Sequence, residues 1–69
     1  SLIDSLEKII EKLPEKQKTV FIKSRYEGKS TKEIAEDVGL SPGTVDNYIS
    51  ASINFIKSRL KFIADDFNP

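Results

Sequence analysis

The chain has 69 residues, 11 basic and 11 acidic side chains, and no His, Cys or Met. That length holds one small domain near the lower limit for an unassisted core, and the missing Cys and His exclude disulfides and the usual zinc, thiol and imidazole chemistry. A net charge of zero neither announces a nucleic-acid partner nor excludes one.

In chain order, apolar residues first recur at Leu2, Ile3, Leu6, Ile9, Ile10 and Leu13, which is helical spacing with one apolar face. Asp4, Glu7, Lys8, Glu11 and Lys12 fall on the solvated side, so a helix is expected over about residues 2–13. Leu13-Pro14 breaks the pattern, and Pro14 suits the start of a second helix, expected over about residues 14–27. Its apolar residues Val20, Phe21, Ile22 and Tyr26 spread around the axis, as in a central helix buried by several neighbours. Gly28 ends it.

Ser30 and Glu33 form an S-x-x-E capping box ahead of Ile34, Ala35 and Val38, so a short third helix is expected over residues 31–38, stopped by Gly39. A fourth begins at Ser41, with Pro42 in the first turn, where a missing N–H costs nothing. It keeps helical spacing through Val45, Ile49, Ser52, Ile53, Ile56, Leu60 and Ile63, over about residues 41–64, and the tail "DDFNP" reads as frayed. No strand pattern, repeat or low-complexity segment is visible. The expected fold is all-α, four helices including a helix-turn-helix and no wing. A chain that opens on Ser1 and holds no Met reads as a piece of something longer.

The helix-turn-helix rests on spacing. Two helices that cross closely over a short turn favour a small residue at the crossing, and Ala35 is one. Gly39 can reverse the chain, and Val45 can drop back onto the third helix, with Ile34, Val38 and Leu40 between. An αα-hairpin used only for packing has similar residues, but the two capped starts and the glycine stop favour a DNA-binding unit whose second helix enters the major groove.

At this point the stretch "LPEKQKTVFIKSRYEGKSTKEIAEDVGLSPGTVDNYISASINFIKSRLK", residues 13–61, resembles region 4 of bacterial RNA polymerase sigma factors, of the extracytoplasmic-function type. The resemblance lies in "LPEKQ", "VF", "RYEG", "S-x-K-E-I-A" and "G-T-V" taken together. It implies a cytoplasmic C-terminal sigma domain that recognises the −35 promoter element while docking on the flap of the polymerase β subunit, with an anti-sigma factor as a further partner. It also implies an N-terminal sigma domain elsewhere in a complete protein. "EGKSTKEIAEDVGLSPGTV" is similar as well to the DNA-binding domains of response regulators and quorum-sensing activators, but "LPEKQKTVF" and the long fourth helix favour sigma.

With Val45, Ile49, Ser52 and Ile56 inward, the outward positions of the fourth helix are Thr44, Asp46, Asn47, Ser50 and Ala51. The resemblance implies that these face bases, although the family often has basic residues there and this chain has none. Asn47 can bond adenine in bidentate fashion, Asp46 can accept from cytosine N4, Ala51 can touch a thymine methyl, and Ser50 discriminates less. Each is equally an ordinary solvated helix residue. Phosphate contacts are expected from Lys29, Ser30, Thr31 and Lys32 at the third helix, from Ser41 and Thr44 at the fourth, and from Arg25 unless it pairs with a carboxylate. Lys57, Arg59 and Lys61 form a basic patch too far along the axis to follow the same groove.

Tyr48, Phe55 and Phe62 recur every seven residues and are expected to pack on the first helix. Otherwise, with exposed residues such as Ile3, Ile10 or Phe21, they can receive the flap helix or an anti-sigma factor. No apolar run approaches a membrane span, no carboxylates converge, and no phosphate loop appears, so neither an enzyme, a cofactor, a membrane nor a small-molecule substrate is expected. A pure protein-interaction module is the rival from another class.

Overall fold

A computed structural model describes the backbone of residues 1–67 and the side chains of residues 1 and 3–61. It contains α1 (Leu2–Glu11), α2 (Glu15–Arg25), α3 (Thr31–Val38) and α4 (Pro42–Phe67), with no strand among the described residues. Each start has a local cause. Ser1 accepts from the Asp4 N–H, and the Asp4 carboxylate reaches back, which makes a capping box for α1. Pro14 holds φ at −53° ahead of α2. Ser30 and Glu33 close the reciprocal box ahead of α3, and the Ser41 hydroxyl oxygen accepts from the Thr44 N–H at 3.2 Å in the first turn of α4.

The stops follow from backbone chemistry as well. Gly39 adopts φ 70° and ψ 34°, and both its N–H and that of Leu40 converge on the Ala35 carbonyl. Gly28, at φ 66°, makes the equivalent reversal after α2. The tail expected to be frayed is instead helical through Phe67, since no Gly or Pro interrupts the chain between Gly43 and that point. Asn68 and Pro69 lie outside the described residues.

Two apolar clusters make the core. Ile9, Ile10 and Leu13 meet Phe21 and Ile56, with Leu6, Ile53, Phe55 and Leu60 packed around them. Val20 meets Ile34, Ala35 and Val45, backed by Val38, Leu40, Tyr48 and Ile49. Val20 and Phe21 are neighbours in the chain and lie about 100° apart on α2, so one helix feeds both clusters. That explains why α2 shows no single apolar stripe. Val20, Ile34 and Val45 are completely buried, each burial worth about 1.5–3 kcal/mol before entropy is charged against it.

α4 packs against all three other helices and carries both clusters along its length. Ser52 is buried between them without penalty, because its hydroxyl donates to the Tyr48 carbonyl at 2.7 Å. The aromatic residues at seven-residue intervals divide. Tyr48 packs on the α2–α3 cluster rather than on α1, and Phe55 packs on the α1 cluster with the Arg59 guanidinium 5.0 Å above its ring. The Phe62 side chain lies outside the described residues.

Candidate nucleic-acid interface

The elbow between α3 and α4 is set by a small contact and a left-handed residue. Ala35 is buried at the crossing, Gly39 turns the chain, and Val45 returns to the same cluster as Ile34. Within the following turns Val45 and Ser52 are fully buried, whereas Asp46, Asn47, Ser50 and Ala51 are exposed. A single helix thus presents an anchored face and a free polar rim. Thr44 is half-buried and accepts from the Ser41 hydroxyl at 2.9 Å, so both side chains serve the start of α4 before anything else.

The expected phosphate contacts sort into committed and open ones. Lys29 Nζ lies 2.7 Å from Asp37 Oδ2 and 3.9 Å from Glu27 Oε1, and Lys23 shares both carboxylates at 3.7 and 4.0 Å. This network ties the end of α2, the loop and α3 together. The Asp37 hydrogen bond and charge raise the Lys29 pKa, and the Lys29 hydrogen bond, against a smaller desolvation effect, holds the Asp37 carboxyl below its ordinary value. Glu33 is held low by the Ser30 N–H and hydroxyl. Its carboxylate also places a negative charge at the start of α3, where a phosphate was expected.

Thr31 is committed too: its hydroxyl donates to Asp46 Oδ1 at 3.1 Å across the elbow. One of the two carboxylate oxygens expected to accept from cytosine is therefore already engaged. Lys32 and Arg25 are exposed and take part in no ion pair among the described residues. At the start of α4, Pro42 has no N–H and Ser41 takes the Thr44 N–H, which leaves the Gly43 N–H as a first-turn donor with no i−4 carbonyl within the helix. Lys57, Arg59 and Lys61 stand 10–14 positions beyond Asn47, about 15–21 Å along the axis, against a groove width of about 12 Å.

A second surface lies on the opposite helices. Glu7, Ile10 and Glu11 of α1, Lys18 and Ile22 of α2 and Tyr26 just past its end line an open groove of about 370 Å³. Ile3 is 69% exposed and Tyr26 60%. The expectation that Ile10 and Phe21 are exposed is corrected: they are 5% and 7% exposed, because both close the α1–α2–α4 cluster, although Ile10 also lines the groove. Neither the groove nor the Thr31–Asp46 contact has a signal in local spacing. Each depends on the angle at which two consecutive helices cross.

No helix among the described residues is long and apolar enough to cross a membrane, and no group of His, Cys, Asp or Glu among them is placed to hold a metal. Comparison with known proteins finds a match to the family "Sigma-70, region 4" over residues 3–54, which is well over half of the chain. No curated protein and no solved structure gives a significant match. The matched span covers α1, α2, α3, the elbow and the rim of α4. The chain belongs to the sigma-70 region 4 family, the non-enzymatic helix-turn-helix domains with which sigma factors bind promoter DNA in concert with RNA polymerase.

Proposed function

We propose that this domain reads the −35 promoter element as the C-terminal part of a cytoplasmic sigma factor of the extracytoplasmic-function type. The observation that carries the reading is the exposed Asp46–Ala51 rim opposite the fully buried Val45 and Ser52. Asn47 and Ala51 have the chemistry to select adenine and a thymine methyl, with Ser50 beside them. Lys32, the Gly43 N–H and the rearranged Lys29 supply the phosphate contacts, and Ser41, Thr44 and Thr31 hold the backbone that presents them.

So few cations near the groove release few counterions, and the free domain binds weakly. Docking on polymerase raises the effective concentration at the promoter, so modest base contacts still select a site. The α1–α2 groove, with exposed Tyr26, apolar Ile10 and Ile22 and acidic Glu7 and Glu11 beside a single Lys18, suits a β-flap helix with an apolar face and basic flanks. An anti-sigma factor that covers the same groove would compete with the flap. The groove is also what a purely protein-binding module would use, so the two surfaces must be tested separately.

The test measures binding of the domain to a −35-containing duplex across a salt series, and to the isolated β flap. Expected are weak duplex binding that strengthens at low salt, and flap binding that Tyr26→Ala reduces without altering duplex binding. Tight autonomous duplex binding as a dimer would move the reading to the response-regulator type. Flap binding with no duplex binding at any salt would leave a protein-interaction module.

A further inference from the structure

Asp46 is the only charged residue between Gly43 and Ile56, and it stands at the head of the reading rim. No cation pairs with it among the described residues. Its partner is the Thr31 hydroxyl at 3.1 Å, the first residue of α3. Among the described residues this is the one side-chain hydrogen bond that joins α3 directly to α4. The apolar contacts of Ile34, Ala35 and Val45 resist separation of the two helices but resist sliding less, because packing has no direction. A hydrogen bond between the helix starts supplies the missing directional constraint.

We propose that Asp46 is a positioning residue and not a base reader: Thr31 braces it, the brace fixes the turn that carries Asn47, and its unpaired charge repels phosphate. The charge lowers affinity for every duplex alike, while the brace keeps the selectivity of the rim. Weak autonomous binding is then built into the reading helix, in addition to following from few cations. This inference rests on the promoter-binding reading.

Three variants separate brace from charge. Asp46→Asn keeps an oxygen acceptor for Thr31 and removes the charge. Its affinity for a mixed-sequence duplex rises about three- to tenfold at low salt, and its ranking of sites in a randomised duplex library is unchanged. Thr31→Val and Asp46→Ala both remove the bond, and both flatten that ranking. In urea unfolding the Thr31→Val and Asp46→Ala effects are less than additive, since either one abolishes the same bond.

Loss of enrichment at a single C·G position in Asp46→Asn, with other positions intact, would make Asp46 a base reader and overturn the proposal. Unchanged duplex affinity in Asp46→Asn overturns the repulsion, and strictly additive urea effects overturn the brace. If wild type binds no duplex even at low salt, the promoter reading itself fails and the repulsion with it. The urea cycle then still decides the brace.

Discussion

Lys29 Nζ and Asp37 Oδ2 are 2.7 Å apart, and the same carboxylate oxygen lies 3.7 Å from Lys23 Nζ. A lysine positioned by sequence for a phosphate is therefore neutralised within its own domain. All three side chains keep at least a fifth of their surface exposed, and such surface pairs are weak enough for a phosphate to exchange for the carboxylate. The double variant Glu27→Gln, Asp37→Asn releases both lysines. The slope of log affinity against log salt then steepens by about 0.9 for each lysine that reaches the backbone. Fluorescence anisotropy on a labelled duplex across a salt series reads this directly. An unchanged slope would place both lysines outside the phosphate track and leave their network purely structural.

Acid sensitivity follows from the same groups. The Ser30 N–H and hydroxyl hold Glu33 below 4.5, and the Lys29 hydrogen bond holds Asp37 below 3.8. A carboxyl depressed in the folded state contributes stability that is fully present above its unfolded value and is lost as pH falls through its folded one. The melting temperature should therefore fall as the solution is acidified from 4.5 to below 3.8, and the double variant Glu33→Gln, Asp37→Asn should flatten that part of the profile. Lys29 acts at the other end. Its pKa is raised above 10.5, so its contribution holds below that value and disappears only at more alkaline pH. Circular dichroism melts across pH check both limbs.

Gly39 is the pivot of the elbow, at φ 70° with nothing within 4 Å of a Cβ built on it. Replacement by Ala thus meets no neighbour and pays only the left-handed backbone strain, about 1–2 kcal/mol. For a domain of this size each kcal/mol lowers the melting temperature by about 4–8 °C. Gly39→Asn should cost less, since Asn tolerates that region. If Ala were as stable as Gly, the turn would have an alternative conformation, and the two helices would not be held at one angle.

How much of this was legible in the sequence depends on the range of each interaction. The Ser30–Glu33 box, the Gly39 stop and the inward Val45 are set within a few residues, and periodicity with capping chemistry finds them. The two-sided burial of α2 was also readable, since Val20 and Phe21 cannot face one direction. What covers each side was not. Phe21 looks like a candidate for a partner until α4 is laid across it, and Tyr48 and Phe55 look like one stripe until α4 is seen to span two clusters. The commitments of Lys29 to Asp37 and of Thr31 to Asp46 span 8 and 15 residues, across turns whose geometry no local pattern states.

The division between holding and reading gives the last prediction. Lys32 is exposed at the start of α3 and unpaired among the described residues, which suits a phosphate contact, whereas Asn47 stands on the rim of α4. A phosphate contact carries no sequence information, so Lys32→Ala should weaken binding to all duplexes by a common factor and make the salt slope shallower by about 0.9. A bidentate amide–adenine contact does the opposite. Asn47→Ala should cost about 1–3 kcal/mol on duplexes that keep the preferred A·T pair and nothing on those that have lost it, with the salt slope unchanged. Competition binding against single-position duplex variants separates the two outcomes. A uniform loss in Asn47→Ala would mean that its amide holds the backbone, and base selection would then have to come from Ser50 and Ala51, whose hydroxyl and methyl discriminate far less.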